Sequence, residues 1–120
     1  MREIGRHLII ELFGCDAKAL NDIKTIEENF KRSLEEAGAK IIGEVFHKFN
    51  PQGVTGVIII AESHFSIHTW PEIGYAAIDL FTCGTKVDPT KVLNKLTEIF
   101  KPTTMNVMEL KRGILVRDRI

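Results

Sequence analysis

Four segments suited to extended chain follow one another between residues 40 and 83 with only short turns between them, and this succession narrows the folds open to the chain. Residues 40–49 and 54–61 flank the turn Asn50-Pro51-Gln52-Gly53 and read as a hairpin; residues 63–70 alternate; residues 75–83 follow the turn Pro71-Glu72-Ile73-Gly74. The runs are rich in Val and Ile, which suit a pleated surface, and the turns hold the residues that punctuate one. Strands joined this closely pair antiparallel, because a parallel pair needs a long crossover.

The flanking regions supply one more strand at each end and two helices. Residues 7–13 form an apolar segment closed by Gly14 and Asp16. Leu20, Ile23, Ile26, Phe30, Leu34 and Ala37 then recur at three- and four-residue steps, which predicts one helix over 17–37, capped by Asp16 and ended by Gly38. Asp88-Pro89 opens a second helix with Val92, Leu93, Leu96, Ile99 and Phe100 as its apolar stripe. Residues 103–110 give a last strand, and the basic end at 111–120, with Lys111, Arg112, Arg117 and Arg119, reads as a solvated tail. The order β-α-β-β-β-β-α-β predicts an α+β two-layer sandwich, a largely antiparallel sheet with two helices on one face. The opposite face then needs cover, and a second copy of the chain would give it, so a homodimer forming a larger α/β sandwich is expected.

A length of 120 residues suits one domain, 1–120, burying roughly two thirds of its unfolded surface. Sixteen basic and sixteen acidic side chains cancel, so no net field draws nucleic acid or an anionic membrane. Cys15 and Cys83 form neither a Cys-x-x-Cys pair nor the dense spacing of a disulfide scaffold, which points to free thiols in a reducing cytoplasm. No apolar run approaches the ~18 residues of a membrane span, and no signal peptide is visible.

Directly after Val57-Ile58-Ile59-Ile60, the most apolar run in the chain, comes the polar stretch Ala61-Glu62-Ser63-His64-Phe65-Ser66-Ile67-His68-Thr69-Trp70. Alternation puts Phe65 and Ile67 on one side of a strand and His64, Ser66 and His68 on the other. Three readings of that polar side are open. Half-buried histidines commonly hydrogen-bond to neighbours and support packing. His64, His68 and Cys83 are metal-ligand types, but four residues along a strand separate the two histidines by roughly 13 Å, which disfavours shared coordination. In the third reading the Ser63 hydroxyl attacks the carbonyl of Glu62 and turns the amide into an ester. Removal of the serine α-proton then expels the upstream carboxylate and leaves dehydroalanine, which tautomerises and hydrolyses to a pyruvoyl group.

The run Glu62-Ser63-His64-Phe65-Ser66-Ile67-His68-Thr69-Trp70-Pro71-Glu72, followed by Gly74-Tyr75-Ala76-Ala77-Ile78-Asp79-Leu80-Phe81-Thr82-Cys83-Gly84, closely resembles the short bacterial and archaeal form of S-adenosylmethionine decarboxylase. The likeness extends through Gly5-Arg6-His7-Leu8, Phe46-His47-Lys48-Phe49 and Gly53-Val54-Thr55-Gly56-Val57, as far as about Glu109. It implies a proenzyme cut at Glu62–Ser63 into a β chain, 1–62, and an α chain, 63–120, whose first residue is a pyruvoyl group derived from Ser63. That group would hold the substrate amine as a Schiff base and serve as electron sink, with no metal and no pyridoxal phosphate. The implied reaction converts S-adenosylmethionine to its decarboxylated form and carbon dioxide for spermidine synthesis, in a homodimer or dimer of αβ heterodimers.

Site roles follow from the same resemblance. His68 matches the residue that accepts the Ser63 α-proton during processing, and Thr55 stands where the family commonly has a serine that assists it. Cys83 matches the donor that protonates the substrate α-carbon after carbon dioxide leaves; an ordinary thiol pKa near ~8.5 suits that task. Phe49 and Trp70 are candidates for the adenine ring and sulfonium charge, Glu72 for the ribose hydroxyls, and Glu11 for further charge. Two alternatives are a pyruvoyl-dependent arginine decarboxylase, which shares the cleavage motif, and a non-catalytic α+β binding module, which leaves the chain whole.

Overall fold

Alternation along the strands sorts the side chains into two sheet faces, and only one of them meets helices. A computed structural model of the chain describes residues 3–61, 63–84 and 87–114. Its strands are β1 (Gly5–Phe13), β2 (Ile41–Lys48), β3 (Val54–Ile60), β4 (Ser63–Trp70), β5 (Tyr75–Cys83) and β6 (Thr104–Arg112). They form one sheet in the order β2-β3-β4-β5-β1-β6, antiparallel at every neighbouring pair. The expected α+β sandwich is what the structure shows, with the helices on one face.

The covered face presents Leu8, Ile10, Leu12, Ile58, Phe65, Ile67, Ile78 and Leu80 to the helices, all of them buried. The helices α2 (Ile23–Glu36) and α3 (Pro89–Phe100) answer with Ile26, Phe30, Leu34, Val92, Leu96 and Phe100. Phe30 sits between Phe65 and Phe100, with ring centroids at 4.9 and 5.8 Å, and so ties both helices to β4. Burying one such side chain contributes roughly 1.5–3 kcal/mol. Gly56 lets Phe46 lie across β3, since a Cβ there would stand 2.2 Å from the phenyl ring.

The single helix expected over 17–37 is two: α1 (Ala17–Leu20) and α2, broken at Asn21 and Asp22. Leu20 and Ile23 are three residues apart, so the apolar spacing runs through the break without marking it. Capping decides the boundary. Asp22 accepts the Thr25 backbone N–H at 3.1 Å and the Thr25 hydroxyl proton at 2.7 Å, while the Asn21 side chain accepts the Gly53 N–H at 2.9 Å. Asp16 and Asp88 cap α1 and α3 as their positions suggest.

The basic end expected as a solvated tail is partly strand. Lys111 and Arg112 are not tail but the end of β6, with Arg112 opposite Gly5 of β1. Arg117 and Arg119 lie outside the described residues, as does Glu62.

The other sheet face carries Val45, Val57, Ile59, Met108 and Leu110, all exposed, around a band of polar side chains on β1, β4 and β5. Among the described residues no helix covers it.

Candidate active site

Register across β3, β4 and β5 gathers the polar band into two clusters. At the start of β4 and the end of β5, the Cys83 backbone N–H donates to Ser63 Oγ at 3.0 Å. Beside this contact, Asp79 takes hydrogen bonds from three directions: His64 Nε2 lies 2.9 Å and His7 Nε2 3.2 Å from its Oδ1, and the Ser66 hydroxyl donates to its Oδ2. Arg112 Nη1 stands 3.1 Å from His7 Nδ1. A guanidinium can only donate, so His7 Nδ1 is the acceptor and the imidazole proton sits on Nε2, facing Asp79. Burial pushes the Asp79 carboxyl up, but hydrogen bonds from Ser66, His64 and His7 outweigh it and hold the group below the usual carboxylate range. Phe81 packs against both imidazoles and under Arg112, whose Cζ is 5.5 Å from the ring centroid.

The second cluster lies toward the opposite end of the sheet. Thr55 Oγ1 and His68 Nδ1 are 3.1 Å apart, on residues paired across β3 and β4. Trp70 stacks on Tyr75 and Tyr75 on Phe13, at centroid distances of 5.2 and 5.4 Å. The Tyr75 hydroxyl donates to Glu11, and that hydrogen bond, with some burial, pushes the phenol up to about 12. Phe49 follows β2, exposed, with its ring edge-on to His47 at 4.6 Å. Glu72 is exposed on the 3-10 turn Pro71–Ile73. Cys15 belongs to neither cluster; burial pushes its thiol up to about 11, which keeps it protonated.

The two clusters do not meet within the chain. Ser63 and His68 are five positions apart on one strand, roughly 17 Å at the rise of extended chain. Ala77, opposite His68, is six positions from Cys83, roughly 20 Å. The structure therefore brings Ser63 to Cys83 and Thr55 to His68, and keeps the pairs apart. His64 and His68 turn to different partners, in keeping with the spacing that disfavoured a shared metal. A shallow depression of about 220 Å³, lined by His7, Ile9, Glu11, His68, Ala77 and Asp79, lies between the clusters.

His7, Asp79 and Tyr75 carry no site role in the sequence reading, and Arg112 is read there only as part of a basic tail. The signal was present for Asp79 and Tyr75, because Tyr75, Ala77, Asp79, Phe81 and Cys83 alternate onto one face of β5. The convergence of His7, 72 positions from Asp79, depends on strand order.

These features define a class: two-layer α+β proteins whose clustered polar side chains, the candidate reactive groups, lie on the uncovered face of an antiparallel sheet. Residues 6–113 match the model of the S-adenosylmethionine decarboxylase family, and the chain belongs to that family. It is similar to the S-adenosylmethionine decarboxylase proenzyme of Carboxydothermus hydrogenoformans, at 53% identity over 118 residues covering 98% of this chain and 93% of that one. It is 54% identical over 114 residues to the protein of the same name from Acetivibrio thermocellus, covering 95% and 92% of the two chains. Among solved structures, the adenosylmethionine decarboxylase of Aquifex aeolicus superposes with a TM-score of 0.87 at 31% identity, over 100% of this chain and 99% of that one. The Trypanosoma brucei AdoMetDC-delta26 monomer shares the fold at a TM-score of 0.66 and 17% identity, over 87% of this chain and 45% of the other.

Proposed function

We propose that the chain is a proenzyme that severs its own Glu62–Ser63 bond and then decarboxylates S-adenosylmethionine, using a pyruvoyl group made from Ser63. The observation that carries this reading is the contact between Ser63 Oγ and the Cys83 N–H, which sets the hydroxyl and a thiol-bearing residue side by side in a member of this family. The surroundings fit a carbonyl at this position, because Oγ departs with the Glu62 carboxylate and the Cys83 N–H, freed of it, remains a donor beside the Ser63 Cα that becomes the carbonyl carbon. Such a group, once present, supplies the electron sink that decarboxylation of an α-amino acid needs. Cys83 Sγ then holds the proton destined for the substrate α-carbon.

His68 works as a base through Nε2 when its Nδ1–H donates to Thr55 Oγ1, and the 3.1 Å contact suits that arrangement. At roughly 17 Å it cannot take the α-proton of Ser63 in its own chain. We assign that step to His68 of the partner subunit in a homodimer. A two-fold axis lying between two bare faces, perpendicular to the strands, sets the Ser63 end of each sheet over the His68 end of the other. Stacked sheets stand about 10 Å apart, which leaves room for side chains and a substrate between them. Trp70, Phe49 and Glu72 belong to the same half as His68, so aromatic faces for adenine and sulfonium and a carboxylate for ribose reach the substrate from the partner side. The exposed Val57, Ile59, Met108 and Leu110 gain cover in the same step. The two cysteines, both free, suit a reducing cytoplasm. The described chain has no helix long and apolar enough to cross a membrane.

Intact-mass measurement tests cleavage: two fragments, 1–62 and 63–120, are expected from the wild type and one uncut chain from Ser63→Ala. Co-expression tests the shared site. Cys83→Ala and His68→Ala are each inactive alone, and together they recover about a quarter of wild-type activity, since half the dimers are mixed and each mixed dimer holds one intact site of two. No recovery would refute the shared site. The relatives reported above are named for adenosylmethionine, and release of carbon dioxide from arginine instead would overturn the substrate.

A further inference from the structure

We propose that His7, His64 and Asp79 form a three-ligand site for a divalent transition-metal ion of the zinc class. The three side chains come from β1, β4 and β5, and one ligand atom from each lies within 4.8 Å of the others. Both imidazole Nε2 atoms converge on the same carboxylate oxygen, at 2.9 and 3.2 Å. Ligand atoms bound to zinc at ~2.1 Å stand roughly 3.4 Å apart at tetrahedral angles, so an ion enters when the carboxylate contacts lengthen by a few tenths of an ångström and the two imidazoles, within 4.8 Å of one another, close by up to about 1.4 Å through side-chain rotation. The side chains of His7, His64 and Asp79 are 18%, 42% and 31% exposed, half-buried with a fourth position left toward the bare face. Two imidazoles and one carboxylate select zinc, cobalt or nickel over magnesium or calcium.

The outer shell supports the assignment and also sets a competitor against it. Ser66 holds Oδ2 of Asp79, which fixes the carboxylate and leaves Oδ1 for the ion. Arg112 works the other way. To bind through Nε2, a neutral imidazole keeps its proton on Nδ1, and His7 Nδ1 faces a guanidinium that can only donate. Metal entry therefore moves the His7 proton from Nε2 to Nδ1 and displaces Arg112, with no net proton lost from the ring. In the metal-free chain the same three groups hydrogen-bond to one another, and Arg112 acts as the stop on the site.

His64 and His68, four positions apart on one strand, are too distant to share an ion; ligands drawn from three neighbouring strands are not bound by that spacing. An ion here fixes the ring of His64, the residue joined by its peptide bond to Ser63, yet coordination requires neither cleavage nor turnover. It can be tested on uncut Ser63→Ala protein, so its failure and the failure of the decarboxylase reading are separable.

The test is titration of the full-length, tag-free, chelator-stripped protein with Co²⁺ and then Zn²⁺, following visible absorption and stoichiometry by calorimetry. One ion per chain is expected, with the d–d band of low-coordinate cobalt bleached by added zinc. His7→Gln, His64→Ala and Asp79→Ala should each weaken binding by about 100-fold or more, and Ser66→Ala by about tenfold. Arg112→Ala should bind more tightly than wild type, which a merely structural network does not predict. Circular dichroism checks that each variant is folded; should Asp79→Ala unfold, His7→Gln and Arg112→Ala decide. Absence of stoichiometric binding, binding that survives both His7→Gln and His64→Ala, or binding lost in Cys83→Ala would each overturn the site.

Discussion

The two faces of the sheet are built from alternate residues of the same strands, yet they are held by different physics. On β4, Phe65 and Ile67 are fully buried against helices, whereas His64, Ser66 and His68, their immediate neighbours, each take a polar partner on β3 or β5. The covered face depends on volume and contact, which tolerate conservative exchange of one apolar side chain for another. The bare face depends on which atom donates and which accepts, and there an isosteric change can be a chemical loss. One strand carries both requirements because its side chains alternate.

The sharpest way to break this contrast is a pair of crossed substitutions. Ser63→Ala should abolish cleavage and decarboxylation entirely while leaving the thermal midpoint within a few degrees of wild type; a large loss of stability would show that the bare face also carries the fold. Phe30→Ala should cost about 3–5 kcal/mol in chemical denaturation, with self-cleavage still seen in the protein that remains folded. Next in size, Cys83→Ala should still yield two fragments by mass spectrometry but lose decarboxylase turnover by a factor on the order of 10²–10⁴. Equal loss of both steps would undo the division of labour between Ser63 and Cys83.

Two smaller effects concern the cap of α2 and the Tyr75–Glu11 pair. Asp22→Ala, at the cap of α2, should cost about 1 kcal/mol at neutral pH. Hydrogen bonds from Thr25 lower the Asp22 pKa, so the cap's contribution is present above the unfolded value of ~3.9 and is lost as pH falls through the lower folded value. The variant should therefore be less sensitive to acid than wild type, as read by denaturation at two pH values. Tyr75 is the chain's one tyrosine, so its phenolate absorbance can be followed directly. The midpoint should approach about 12 and return toward ~10 in Glu11→Gln. Because the folded value is the higher one, this pair stabilises the fold below pH ~10 and ceases to do so as pH rises toward about 12.

Much of the fold was legible because strands and caps leave local marks. β4 and β5 run over the residues their alternation suggests, and Asp88-Pro89 starts α3. The break at Asn21 was hidden, since Leu20 and Ile23 keep the helical phase across it and only the contact from Gly53, 32 positions away, shows why the chain turns there. Arg112 was read as tail because a basic residue near a chain end carries no mark of a strand partner; its place opposite Gly5 is a long-range fact. Within the candidate site, Ser63, His68 and Cys83 were found through resemblance, which names residues without saying which of them touch. The distance from Ser63 to His68 follows from their spacing on one strand, but that Ser63 meets Cys83 and Thr55 meets His68 emerges only once the register of β3, β4 and β5 is known.

The five-residue gap between Ser63 and His68 reaches beyond geometry. If each polypeptide owns half of every working centre, dilution silences the catalyst before it unfolds it, and well below the dissociation constant specific activity falls in proportion to how much chain is present. Newly made molecules would stay dormant until they encounter one another, so abundance itself becomes a threshold for maturation.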